Sequence, residues 1–333
     1  MTTTARDRLR GRLPAILLMT FIACGKSDQP QPPSAPSPAP TPTPTPPPAT
    51  YTIAGAVTAT NDGHPLAGAT VTLGSSSTTT DGSGRYSFTV PAGSPSMPYS
   101  ISGGTLLSHA GSLSATASRS VGLDAIVQDA SFDLSFYRDL VRDQSSGGAL
   151  QPLRRWTTNP NLYLRTVDST TGRAVEPEVL ALVTDWAQRA VTLWSGGQLR
   201  VGMLQSGTDD PPLTNGWIKV DFVREETAMY CGFANVGSNP GHVTLNNDRC
   251  NCGSTKVPPG TVLHEFGHAM GFWHVTDRSS VMYPQDPGGC PQPALSGAED
   301  RHSRIAYRRL VGNTDPDNDP TDTPRLLPVV ARP

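Results

Sequence analysis

The sequence predicts two domains in tandem, an all-β domain followed by an α+β domain. Three observations predict this. From residue 51 to 128, short runs of alternating apolar residues are broken by Gly- and Asn-containing turns, which is the period-two pattern of strands. From 132 to 312 the texture changes, and strand candidates are interleaved with segments of helical spacing. Ahead of both, residues 29–50 are so rich in proline that they have no apolar face to bury. A chain of 333 residues is long enough for two cores. The net charge of −2, with only 16% charged residues, excludes the basic surface of a nucleic-acid binder and the acidity of a cation store.

The first residues read as an export signal. Arg6, Arg8, Arg10 and Arg12 precede an apolar run from Leu13 to Ala23, too short to span a bilayer as a helix. The run ends in Phe-Ile-Ala-Cys-Gly, which resembles a bacterial lipobox with Phe21 where leucine is usual. That resemblance implies a signal over 1–23 and an acylated Cys24, so that the chain is anchored to a membrane rather than spanning it. The alternative is an ordinary secretory signal and a secreted protein. Residues 24–50 then form an extended polyproline-II spacer. With Cys24 assigned to lipid, four of the five cysteines remain: Cys231, Cys250, Cys252 and Cys290. In an oxidising compartment they are expected to form two disulfides. Cys250 and Cys252 are too close to pair with each other, which favours Cys231 with one of them and Cys290 with the other.

Within 51–128, YTIAGAVTA, ATVTLGS, GRYSFTV and YSISG read as strands, and NDGHPLAG and TTDGSG as turns. Val71, Leu73, Tyr86, Phe88 and Val90 are expected to point inward. The phrases PLAGATVTL and TDGSGRYSFTVPAG resemble the carboxypeptidase-regulatory-like family. The resemblance implies a sandwich of transthyretin- or immunoglobulin-like type, serving as a structural or adhesive module. His64 and His109 are expected in solvent-facing loops.

In the second region NLYLRTV, within 156–167, reads as a strand. Val179, Leu182, Val183, Trp186, Ala190, Leu193 and Trp194 then keep helical spacing, with Pro177 in the first turn and Gly196-Gly197 as the stop. LRVGML, GWIKVDFV and GHVTLNN are three further strand candidates. The last helix, LSGAEDRHSRIAYRRLVG, opens with a capping box formed by Ser296 and Glu299; its His302 is expected to face solvent. Residues 313–333 read as a disordered tail. Asp315, Asp317 and Asp319 alternate as in some calcium loops but lack the glycine and distal glutamate of a complete one.

Between these strands and the last helix stands HEFGHAMGFWHV. Residues four apart share one face of a helix, so His264 and His268 can offer ring nitrogens to one ion. Glu265 is rotated about the axis by roughly 100° and stands beside such an ion rather than on it. Gly271 can end the helix in a left-handed turn that returns His274 as a third ligand. Three protein ligands leave a position open, the mark of a catalytic zinc site.

The full HExxHxxGxxH pattern, followed eight residues later by Met282 in RSSVMYP, resembles the metzincin clan of zinc endopeptidases. SSVMYP and LSGAED…RIAY are similar to the matrixin branch, and GFWH to the astacin branch. The resemblance implies an α+β fold with a mixed sheet, an active-site helix, a methionine turn and a C-terminal helix. It implies one catalytic Zn²⁺ on His264, His268 and His274, with Glu265 as general base and Met282 as an apolar floor. It further implies that Gly241–Leu245, with His242, Val243 and Thr244, is an edge strand that pairs with substrate. Val281 to Gln285, including Tyr283 and Pro284, would wall the pocket after the scissile bond. His242 reads as a surface histidine rather than a second metal ligand. Structural Ca²⁺ occurs in matrixins. No counterpart of their cysteine-containing pro-segment precedes the region.

The function expected is therefore zinc-dependent hydrolysis of peptide bonds in extracellular or envelope proteins, by a monomer that is lipid-anchored in the bacterial envelope or secreted. Two alternatives are a non-catalytic surface adhesin that uses the sandwich and a hydrolase of amide bonds outside proteins.

Overall fold

The computed structural model describes residues 49–284 and 293–321. The expected signal, Cys24, the proline-rich spacer to residue 48, Gln285, Cys290 and the chain after 321 lie outside the described residues.

The first region is made of two sheets. β1 (Thr50–Ala59), β2 (Thr70–Leu73), β3 (Ser76–Thr79), β4 (Arg85–Pro91), β5 (Ser94–Ser102), β6 (His109–Ala115), β7 (Arg119–Ser120) and β8 (Leu123–Ala125) follow in order. In one sheet β1 pairs antiparallel with β4 and parallel with both β7 and β8. In the other the order is β3-β2-β5-β6, all antiparallel. β4 alternates strictly, with Tyr86, Phe88 and Val90 buried and their neighbours exposed. Val71 and Leu73 meet them from β2 in one apolar core with Ile53, Val57 and Ile101. The inward set expected from alternation is therefore the set observed.

The second region begins with a helix that the sequence reading does not include, α1 (Leu134–Arg142). Asp133 caps it, its side chain accepting from the amides of Ser135 and Phe136. Then come β9 (Asn161–Arg165), α2 (Pro177–Trp194), β10 (Leu204–Gly207), β11 (Trp217–Val223), β12 (Gly232–Ala234), β13 (Gly241–Asn246), α3 (Pro259–Met270) and α4 (Gly297–Tyr307). The sheet runs β10-β9-β11-β13-β12, with the first four parallel and β12 antiparallel. β11 is buried on both faces over Val220–Phe222, as a parallel strand under helices must be. β10 occupies only the end of the expected LRVGML strand and is exposed, because it forms one edge of the sheet. Trp194 at the end of α2 packs against Phe272, at a ring separation of 4.9 Å. Its indole donates to the Leu263 carbonyl at 2.9 Å, so α2 is locked directly onto α3.

Three expectations are overturned here. His109 is not in a solvent-facing loop: it opens β6 and is 3% exposed. Its Nδ1 meets the Asp124 carbonyl at 2.7 Å and its Nε2 meets Asp319 at 3.1 Å. His302 is likewise buried at 1%, among Phe132, Phe136 and Tyr137, and its Nε2 accepts the Asp133 amide at 3.0 Å. Residues 313–321 are not a disordered tail. Asn313 and Asp317 are fully buried, and each alternating aspartate has a partner. Asp315 takes Arg138, Asp317 takes Arg309, and Asp319 takes His109 and Asn313. His109, His302 and Asp315 each have a partner between 169 and 210 residues away, so local composition there reads as solvated.

The segment 313–319 fastens the two regions together. Arg309, 1% exposed, donates to Asp317 at 2.7 Å, to Asp124 of the sandwich at 2.8 Å and to Thr60 at 2.7 Å. Ala110 of β6 exchanges backbone hydrogen bonds with Asp317 and Asp319. Burial works against the Arg309 charge, but the two carboxylates outweigh it and raise its pKa. Removing one partner of such a group strands the others in low dielectric. Arg309→Met is expected to cost about 3–5 kcal/mol of unfolding free energy, read from the urea midpoint. A cost under about 1 kcal/mol would mean that the cluster is solvated.

The same junction gives a pH signature. Burial lowers the His109 pKa, but the Asp319 hydrogen bond and the charge of Asp317 outweigh it and leave it raised. Asp319, despite burial, is held below the usual carboxylate range by His109 and Asn313. A raised histidine stabilises most below its unfolded value and loses this as pH rises; a depressed carboxylate loses its contribution as pH falls. The stability difference between wild type and His109→Asn should be greatest between about pH 4 and 6.5 and shrink on either side. Thermal melts of both proteins across pH test this, and a flat difference would contradict it.

Candidate metal centre

α3 carries the first two histidines. Pro259 opens it at a position that needs no amide donor, and Gly271 closes it with φ 114°. The glycine is required twice. Its φ is unfavourable for other residues, and a Cβ there would lie 2.0 Å from the Arg154 carbonyl oxygen. The amide of Phe272 then turns back to the Gly267 carbonyl at 3.0 Å, and the chain returns His274 to the helix.

The three Nε2 atoms converge: His264 to His268 is 3.2 Å, His264 to His274 is 3.2 Å, and His268 to His274 is 3.1 Å. Among the described residues this is the one cluster of three potential metal-ligating side chains. Nitrogens placed tetrahedrally about zinc at 2.0–2.1 Å are separated by about 3.3–3.4 Å. The ring Nδ1 atoms decide what the Nε2 atoms can do. His264 Nδ1 donates to the Val281 carbonyl at 2.6 Å, and His268 Nδ1 donates to the Phe272 carbonyl at 2.7 Å. A carbonyl only accepts, so each neutral ring keeps its hydrogen on Nδ1 and aims a lone pair inward from Nε2. Protonation does not relieve this. Burial first, and then neighbouring imidazoles, push the His268 pKa well down and the His274 pKa to about 4; burial also lowers that of His264. Converging lone pairs repel each other unless a cation shares them. The donor set and its spacing fit a zinc-like divalent ion.

Glu265 follows His264 on the same helix and is 4% exposed. Its Oε2 is buried and, among the described residues, has no hydrogen-bond partner. Burial alone raises its pKa to about 8. A dication beside it would reverse that shift by favouring the carboxylate. The space for its side chain comes from Gly232 on β12, where a Cβ would lie 2.8 Å from Glu265 Oε1 and 2.7 Å from the Thr244 carbonyl. This requirement is invisible in the local sequence around 232.

The methionine turn is also built from distant parts. Met282 is fully buried, and its carbonyl accepts the Val275 amide at 3.0 Å, one residue after the third histidine. Its amide donates to Ser280 Oγ at 2.9 Å and to Glu299 Oε1 at 3.1 Å, and Ser280 Oγ also donates to Glu299. Glu299 Oε2 meanwhile accepts the Ser296 amide, completing the expected capping box. One buried carboxylate therefore starts α4 and fixes the turn whose Val281 carbonyl accepts from His264. At the other end of α3, Trp156 and Tyr307 donate to the Ala269 and Met270 carbonyls at 2.9 Å each. These are carbonyls that a helix end leaves without internal partners.

The expected substrate-pairing strand requires correction. β13 is not an edge: it pairs with β11 along its whole length and with β12 over Val243–Leu245. Val243 and Thr244 are buried, and His242 Nε2 is engaged by Asp221 at 2.7 Å. The outer strand is β12, which among the described residues pairs on one side only. Three residues are too few to show a period, so the sequence does not reveal it. Tyr283 is half-buried beneath Arg278, and Pro284 is exposed. Cys231, one residue before β12, forms a disulfide with Cys250. Cys252 is disulfide-bonded as well.

Comparison with known proteins bears on the first region. Residues 52–124 match the carboxypeptidase regulatory-like domain. A comparison of the chain with curated proteins finds no match. The carboxypeptidase regulatory-like domain spans β1 to within β8 and contains none of the three converging histidines. It touches the second region through Thr60, His109 and Asp124 instead.

Gly271→Ala is expected to destabilise the protein by more than about 1 kcal/mol, because the added Cβ is both strained and blocked. A thermal melt reads this. Unchanged stability would mean that the turn relaxes away from Arg154.

Proposed function

We propose that the second region is a zinc-dependent endopeptidase of the metzincin clan, exported to the bacterial envelope and held there by a lipid on Cys24 or released. The observation that carries the reading is the convergence of three Nε2 atoms, two of them with inward lone pairs, beside a buried carboxylate with an oxygen unpartnered among the described residues. A mixed sheet, an active-site helix, a methionine turn and a C-terminal helix in this order support it. A disulfide supports an oxidising compartment. No helix among the described residues is long and apolar enough to cross a membrane, which is compatible with a lipid anchor.

In this reading His264, His268 and His274 would hold zinc. The metal would supply Lewis acidity and would make a nearby water nucleophilic near neutral pH. Glu265 takes a proton from the attacking water and delivers it to the departing amine. The free edge of β12 orders an extended peptide by main-chain hydrogen bonds. Met282, buried close to Gly267 of α3, would contribute no ligand but an apolar floor. The carboxypeptidase regulatory-like domain and the tail clasp brace the second region. The buried Glu265 also speaks against a purely adhesive protein, since an unpaired carboxyl in an apolar site is costly to keep for structure alone.

Glu265→Gln is expected to retain about one zinc per chain and to lose at least ~100-fold in peptide hydrolysis. Digestion of a peptide library, with metal content measured in parallel, checks this. Full activity in the variant, or activity of the wild type that survives zinc chelation, would refute the reading.

A further inference from the structure

The three histidines are not held in the same way. His264 and His268 stand on a helix, and each ring is fixed by a hydrogen bond from Nδ1 to a carbonyl. His274 stands on a loop, and among the described residues no hydrogen bond reaches its Nδ1. Its position has to be set through its backbone. One bond joins the Val275 amide to the Met282 carbonyl, and four more come from α1 or the turn that follows it. The Trp273 amide, just before His274, donates to the Leu140 carbonyl at 2.8 Å. The His274 carbonyl accepts Ser145 Oγ at 2.8 Å. Two residues on, the Thr276 hydroxyl donates to Asp139 Oδ2 at 2.9 Å, with its amide at 3.3 Å from the same oxygen.

Leu140 lies in the last turn of α1, so its carbonyl needs a partner outside the helix. Asp139 is 5% exposed, and among the described residues no cation pairs with it; its Oδ2 is directed to Thr276. α1 itself cannot drift. Its N-terminus is held by His302 of α4, Arg138 is tied to Asp315, and Arg142 is bound to Asn313. A helix seated this firmly makes a rigid jaw against a loop.

We infer that α1 is the brace of the third metal ligand and that Asp139 is a positioning residue for His274, acting through Thr276. The inference rests on the metal reading above. The chain here uses a helix laid ahead of the sheet to do for one ligand what carbonyl contacts do for the other two. Because Asp139 touches neither the ligand ring nor a substrate, its loss should affect metal retention and the geometry of the third ligand, not the general base.

The test uses the full chain loaded with zinc, measuring release into excess chelator well below the melting temperature and the visible spectrum of the cobalt-substituted protein. Asp139→Ala is expected to release zinc roughly 10–100-fold faster and to shift the cobalt bands. Asp139→Asn, which keeps an acceptor oxygen, should stay within about threefold of wild type. Thr276→Val removes the hydroxyl alone and should fall between them; it carries the test if Asp139→Ala does not fold. Wild-type release from both Asp139→Ala and Thr276→Val, even with a lowered melting temperature, overturns the inference while leaving the metal reading intact. An Asp139→Asn variant as leaky as Asp139→Ala overturns the hydrogen-bond account. A wild type that takes up neither zinc nor cobalt overturns both readings.

Discussion

Three imidazole nitrogens stand 3.1–3.2 Å apart with no hydrogen between two of the rings to share. That arrangement is unfavourable by itself, and much of the second region is built to maintain it. Helical spacing brings two of the rings together at little cost, because residues four apart already lie side by side. The third demands a sharp reversal, and Gly271 supplies it only because the Arg154 backbone fills the space a side chain would need. The carbonyls of Val281 and Phe272 then select the tautomer that turns lone pairs inward.

Around this centre the same polar groups recur in two roles. Glu299 begins α4 and secures the methionine turn. Trp194, Trp156 and Tyr307 fill the core with their rings and spend their single donors on carbonyls of α3. A buried donor or acceptor left unmatched costs on the order of 1–3 kcal/mol, so each of these pairings constrains position as well as contributing stability. Glu265 Oε2 is one of several buried atoms among the described residues that depart from this rule, and it is the carboxylate that follows His264, where a bound cation would supply a partner.

The sandwich is not a loosely tethered module. The chain passes through it, builds the second region, and then comes back along β6, so that Asp317 and Asp319 bind Ala110 while Arg309 reaches Asp124. The same returning segment holds Arg142 at the end of α1 through Asn313. The brace on the third histidine and the clasp on the sandwich therefore share a residue. This gives the accessory domain a mechanical reason to be present even though it contributes no group to the centre.

Local spacing alone determined the strands carrying Tyr86, Phe88 and Val90, the helix ending at Trp194, the capping box, and the pairing of His264 with His268 on one face. Each of these depends on residues a few positions apart, where side-chain direction follows from backbone period. The turn at Gly271 was legible for the same reason. Tertiary structure alone decided that β12 and not β13 is the outer strand, that Glu299 reaches the methionine turn, and that Asp315, Asp317 and Asp319 are paired, with Asp317 fully buried. It also decided that α1 holds the loop of His274, since Asp139 and Thr276 are 137 residues apart and His109 and Asp319 are 210. A polar residue has no period that announces its partner; whether it faces water or a distant charge is settled only when the folded chain brings that charge to it.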